Sequence, residues 1–119
     1  MGYESRLYVV NKWKNIPSSN ENYIYAEILA MLNMSKCGIH RQDFRTTDCA
    51  IYADDGNTLI TEDCYGDTLG ELTIPEAIKL IEKHQEMCPA HRRWKPCLDL
   101  LMSFDETDWD QLVVLHYGY

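Results

Sequence analysis

The sequence predicts an α+β fold: a mainly antiparallel sheet of about five strands with two helices packed on one face. Three observations predict it. Strand-like runs come first, two helix patterns follow, and an apolar run closes the chain. Asp54-Asp55-Gly56-Asn57 lies between two apolar–polar runs, a strong hairpin signal because glycine takes positive φ at little cost. Thr73-Ile74-Pro75-Glu76 combines a capping threonine, a glutamate three residues on and an early proline, which marks a helix start. The 119 residues match one domain spanning 1–119, and a compact chain of this length has a radius of gyration of about 13–14 Å.

The elements follow in order. Arg6 to Trp13, with Leu7, Tyr8, Val9 and Val10, reads as a strand. Asn15 to Asn20 is a turn-rich loop around Pro17. Tyr23 to Met34 admits two readings. Ile24, Ala26, Ile28, Ala30, Leu32 and Met34 alternate, as in a strand with one buried face, while Ala, Leu, Met and Glu also favour helix. The unbroken alternation favours a long strand paired with the first. Lys36 to Thr47 is polar and irregular. Cys49–Ala53 and Thr58–Asp63 form the hairpin, and Tyr65 to Gly70 is a further turn. The first helix runs from Thr73 to about Met87 with Ala77, Ile78 and Ile81 on one stripe. The second opens near Pro96 and carries Cys97, Leu98, Leu100, Leu101 and Phe104. Asp105 to Asp110 is an acidic loop, and Gln111 to Tyr117 is a buried closing strand.

Composition narrows the function classes. The hydrophobic fraction of 45% is that of a globular chain. The formal net charge is −8 and the sequence pI about 4.8, so direct nucleic-acid binding and attachment to anionic membranes are disfavoured. Basic partners are favoured instead. Five cysteines, an odd number, follow an opening without a signal-type apolar run, which points to reduced thiols and a cytoplasmic location. No run reaches the roughly 18–20 apolar residues of a membrane helix.

Charge is segregated along the chain. No lysine or arginine occurs between Arg45 and Lys79, or after Lys95, while both stretches are rich in acids. Asp54, Asp55, Glu62, Asp63, Asp67 and Glu71 are the candidate partner-binding residues, an acidic face without counter-ions. A solvated surface that only aids solubility is the plainer reading. A second candidate set joins Arg92, Arg93 and Lys95, beside Trp94, with Tyr117 and Tyr119, as groups able to hold a phosphate and stack a base. Its plainer reading is a basic turn and sheet tyrosines.

Other constellations are weak. His84, Cys88, His91 and Cys97 lie close in sequence, but their spacing matches no common zinc motif. Asp54 to Asn57 lacks the alternate acids and late glutamate of a calcium loop. No hydrolase elbow, phosphate-binding loop or dinucleotide fingerprint is present. The expectation is a binding protein, not an enzyme, with no cofactor and no metal.

Four segments carry a resemblance: Gly2 to Tyr8, Ile51 to Thr58, Glu62 to Asp67 and Leu112 to Tyr119. Through them most of the chain resembles small proteins encoded by phages and prophages of Gram-positive bacteria. The resemblance carries over no site residues. It implies an anti-defence role by analogy with anti-CRISPR proteins, several of which present acidic surfaces where nucleic acid would lie. The partner would then be a host defence effector with a basic groove. The alternative is a sponge for a small nucleotide signal, its pocket set at a homodimer interface, and a regulatory phage module is the third reading.

Overall fold

The computed structural model describes residues 4–12, 24–34, 38–52, 58–90 and 92–119. Among the described residues, seven strands, β1 (Ser5–Lys12), β2 (Ile24–Asn33), β3 (Arg45–Thr46), β4 (Cys49–Tyr52), β5 (Leu59–Ile60), β6 (Gly70–Thr73) and β7 (Leu112–Gly118), join two α-helices, α1 (Ile74–Met87) and α2 (Trp94–Met102). The radius of gyration is 14.2 Å. The strands run in the order β3-β6-β7-β1-β2-β4-β5. All pairings from β3 to β2 are antiparallel, so the predicted fold class is the one observed. β4 joins β2 in parallel at two positions only, Ile24 opposite Cys49 and Tyr25 opposite Ala50. β4 and β5 form the predicted hairpin arms, with Ile51 opposite Ile60. The Asp54 to Asn57 turn between them lies outside the described residues.

β7 sits in the middle of the sheet, and its near-continuous apolar run reflects burial on both faces. Leu112 and Val114 join Leu7, Val9, Leu32 and Leu72 beneath the helices. Val113 and Leu115 join Tyr8, Val10, Tyr117, Cys49, Ile51 and Leu69 on the opposite face. The helices therefore cover one face, and β4, β5 and the segment around Leu69 cover part of the other.

α1 begins as its sequence requires. The Thr73 hydroxyl accepts from Glu76 N–H at 3.3 Å, and the Glu76 carboxylate accepts from Thr73 N–H at 3.0 Å. Arg45 adds an ion pair to Glu76 at 2.8 Å. These bonds, the cap first, hold the Glu76 carboxyl below its usual range. Ile74, Ala77, Ile78 and Ile81 are buried, and α2 buries Trp94, Cys97, Leu98 and Leu101.

Three of the expected elements differ in detail from the sequence reading. α2 opens at Trp94, two residues before Pro96, because proline is tolerated in a first turn where amides have no helical acceptor. Asp105 to Asp110 is not an open loop but a cap followed by a 3-10 helix, Glu106–Gln111. Asp105 accepts from Thr107 N–H at 3.0 Å and from its hydroxyl at 2.9 Å. β2 is a strand, but its alternation does not mark one face. Val9 lies opposite Ala30 and Val10 opposite Ile28, so Leu29 is an extra residue in a β-bulge. The extra residue reverses the side-chain phase. Ala26 is buried on the face away from the helices, and Leu32 and Met34 on the helix face.

Two short segments lock the far edge. Gly70 lies opposite Thr46 and His116, and a Cβ there would overlap the Cβ of Phe44, so only glycine lets the buried ring close over β6. Gly66, at φ +82°, turns the chain after Asp63 in the left-handed conformation that glycine adopts freely. No described helix is long and apolar enough to cross a membrane.

Candidate functional site

Strand order brings three ends together. β6, β7 and β1 are neighbours, with Thr73 opposite Val113 and Asn11 opposite Leu112. The end of β1, the end of β6 and the start of β7 therefore share one rim of the sheet. An open groove of about 750 Å³ lies on this rim, lined by Lys12, Asp48, Glu71, Thr73, Asp110, Gln111 and Val113. Three of these residues are acidic and one is basic. A smaller depression of about 240 Å³, lined by Asn11, Leu29, Phe104, Asp108, Gln111 and Leu112, meets it at Gln111. Asp108 thus extends the acidic rim, and the exposed Asp105 and Glu106 begin the same 3-10 segment.

The floor of the groove is an organised polar cluster. Glu71 is buried at 9% exposure. Its Oε1 accepts from the Thr47 hydroxyl at 2.6 Å and lies 2.9 Å from Lys12 Nζ. The Thr47 hydroxyl accepts in turn from Cys49 N–H at 3.0 Å. Lys12 Nζ also lies 3.6 Å from Asp48. Burial alone disfavours the Lys12 charge. The Glu71 hydrogen bond and the surrounding negative groups outweigh it, so the ammonium is held charged and its pKa raised. Ligand atoms of Asp48, Cys49 and Glu71 lie within 4.8 Å of one another, the spacing of a metal cluster. Lys12 Nζ already supplies the positive charge there, and burial pushes the Cys49 thiol up, away from the thiolate a metal needs.

Removing the Lys12 charge should therefore be felt in stability. Lys12→Met strands the Glu71 carboxylate beneath partial cover. The expected cost is about 2 kcal/mol, less than for a fully buried pair because Lys12 keeps some contact with water. Urea unfolding of Lys12→Met and of Lys12→Met with Glu71→Gln checks this: the second change should restore most of the loss.

Of the six acidic residues singled out in the sequence, the four described ones do not share one surface. Asp54 and Asp55 lie outside the described residues. Glu62 and Asp67 are exposed near the start and end of the turn after β5. Asp63 is buried and serves that turn: its Oδ1 accepts from Tyr65 N–H at 2.8 Å and Asp67 N–H at 3.1 Å. Glu71 belongs to the groove floor. The acidic rim is instead built by Asp48, Glu71, Asp110 and Asp108. All four lie in the two stretches that lack lysine and arginine, so the signal was present in the sequence. Lys12 had no such signal.

The second candidate set is divided by the sheet. Tyr117 packs on the face away from the helices, where its hydroxyl lies 3.3 Å from Cys64 Sγ. That contact and burial push its pKa up to about 12. The Tyr119 ring lies under the Arg6 guanidinium, 4.6 Å from its centroid. Arg92, Arg93 and Lys95 precede or begin α2 on the helix side, where Arg93 donates to Asn33 and Lys95 pairs with Asp99 at 3.0 Å. Neither rim depression includes any of the five.

One cysteine–histidine group and one serine–histidine pair also resolve. Cys97 Sγ faces Met34 Sδ in the core, while His84 stacks near Trp94 and Cys88 caps α1, so these three do not converge. His91 lies outside the described residues. Ser5 and His116 form a buried pair, Oγ to Nε2 at 2.9 Å. The Ser5 proton goes to the Ile39 carbonyl at 2.5 Å, so His116 Nε2 carries the hydrogen and donates to serine. That direction is the reverse of a base activating a nucleophile.

Comparison of the chain with protein-family models, with curated proteins and with solved structures found no match in any of the three.

Proposed function

We propose that this protein acts by stoichiometric binding, docking its acidic sheet rim onto a basic surface of a protein partner. The observation that carries the reading is the convergence of Asp48, Glu71 and Asp110 around one groove where, among the described residues, the lining holds a single cation, Lys12, already engaged by Glu71. The carboxylates are displayed by strand ends and a capped 3-10 segment, so little order has to be imposed on binding. Clustered charge of one sign speeds encounter with an oppositely charged surface and rejects like-charged ones. With the resemblance to phage and prophage proteins, the reading becomes an anti-defence inhibitor, working in the host cytoplasm. There it covers a groove that a host effector uses for nucleic acid.

The test uses the tagged chain and lysate of bacteria with an active immune system, read by native mass spectrometry. A protein-sized adduct is expected at low salt, and inhibition of the effector's nucleic-acid binding should accompany it. Asp48→Asn with Asp110→Asn, both exposed and outside the core, should weaken the complex by roughly tenfold. Raised salt should weaken the wild-type complex more than the variant's. Equal binding by both proteins at every salt concentration would sink the proposal. A nucleotide-sized mass increment would favour the signal sponge in its place.

A further inference from the structure

We propose that the outer edge of β2 is a homodimer interface, in which β2 of two copies pairs antiparallel about a two-fold axis. Among the described residues, this edge pairs with β4 only at Ile24 and Tyr25, and Ala26 packs beside Ile51. Ala26 to Asn33 then continues as an edge, and Ile28, Leu29 and Met31 on it are 40%, 42% and 54% exposed. The only charged residue in that stretch is Glu27. Long apolar edges of this kind are normally covered, shortened or charged.

The direction of the backbone groups follows from two bonds. Met34 N–H donates to Ser5 O at 2.9 Å, so Leu32 and Ala30, in phase with Met34, face β1. Asn33 and Met31 face outward, and the Asn33 carbonyl accepts there from Arg93 Nη1 at 3.3 Å. The bulge at Leu29 resets the phase, so that Ile28 and Ala26 are the next outward residues.

This irregularity selects the occupant. A regular strand laid along the edge has outward groups every second residue and falls out of register across Leu29 and Ala30. A second copy, antiparallel and related by a two-fold axis between Leu29 and Ala30, carries the same irregularity at the same place. Met31 then lies opposite Ile28 of the second copy, and the relation is repeated by symmetry. Ile28 and Met31 sit on the same face, opposite Val10 and Tyr8, so the four side chains form one apolar patch across the axis. The ends also agree. Arg93, held at Asn33, comes beside Glu27 of the second copy, which places opposite charges together. β2 ends at Asn33, where β4 of the other copy begins to occupy the edge.

Sedimentation equilibrium of the full chain should give twice its mass of 13.9 kDa. Ile28→Lys combined with Met31→Lys sets lysines opposite one another twice and should return the mass of one chain. Circular dichroism should be unchanged, since both side chains are exposed. Met102→Lys, an exposed substitution on α2, should leave the dimer intact. Hydrogen exchange gives a second readout: the Ile28 and Met31 amides should be protected in the wild type and exchange freely in the double variant. A wild-type chain that sediments singly overturns the proposal. So does a dimer that survives both lysines, which would place the interface elsewhere. Protection of this edge only when a host protein is added would assign it to a different partner and equally overturn the pairing of copies.

Discussion

Trp94→Ala is expected to destabilise the protein by about 3–5 kcal/mol. Trp94 is 1% exposed and opens α2. Its ring packs in the helix-side core, 6.2 Å from the His84 ring of α1 and inclined to it by 27°. Its Nε1–H donates to the Cys88 carbonyl at 2.7 Å, at the end of α1. One side chain thus sets the end of one helix, the start of the next and their contact with the sheet. Alanine would leave a large cavity and an unsatisfied carbonyl at a helix end, where backbone groups already lack helical partners. Domains of this size have total stabilities of about 5–15 kcal/mol, so the loss is a large share. Trp94→Phe keeps most of the ring and loses the N–H, and should cost about 1–2 kcal/mol. Urea midpoints of the three proteins measure the series. An alanine variant within about 1 kcal/mol of wild type would mean that the two helices hold together without the indole.

Acidification is expected to weaken the fold between pH 6.5 and about 4 through His116. This ring is fully buried, close to Phe44 at 4.9 Å between centroids and bonded to Ser5. Burial pushes its pKa down from 6.5 to about 4. Asp63 and Asp43 oppose the shift, while Arg41 and His40 add to it. The folded state therefore keeps His116 neutral where the unfolded chain takes up a proton. Below pH 6.5 the unfolded state binds more protons, and stability falls as pH falls. The loss approaches about 3 kcal/mol once pH passes below the folded value, from 1.36 kcal/mol per pKa unit. His84, partly buried and also lowered by burial, contributes in the same direction but less. Glu76 and Asp105 have depressed carboxyl pKa values, so their support is lost only on further acidification, below the ordinary carboxylate range. The measurement is the urea midpoint from pH 7.5 to 4.5 for wild type and His116→Asn. Most of the slope above pH 5 should vanish in the variant. An equal slope in both would assign the effect to other groups.

Much of the fold was legible because its signals are local. The capping box at Thr73 depends on four adjacent residues, and α1 spans Ile74 to Met87 as read. The arms of the hairpin around Asp55-Gly56 pair as expected. The apolar run from Leu112 to Leu115 announced a buried strand, and β7 is buried on both faces. The phase of β2 was not legible. One bulged residue inverts every side chain beyond it, and the bulge shows only in the register of β2 against β1. β3 and β6 were also missed. β3 has two residues, and β6 has glycine at its start, a weak strand former kept by the close approach of Phe44.

The candidate site divides in the same way. Composition by itself determined the sign of the charge, the absence of basic residues from two stretches and the class of partner that such a surface favours. Which carboxylates reach one surface was decided only in three dimensions. Asp48 and Asp110 are 62 positions apart and line one groove because β3, β6, β7 and β1 lie side by side. Asp63 and Glu71 read as surface acids, but a turn takes in one and Lys12 the other. Sequence patterns report short-range preference and net charge, which are sums over neighbours along the chain. The rim, the exposed edge of β2 and the buried histidine depend on neighbours across the sheet. Those are set by packing two faces of one sheet against different cores.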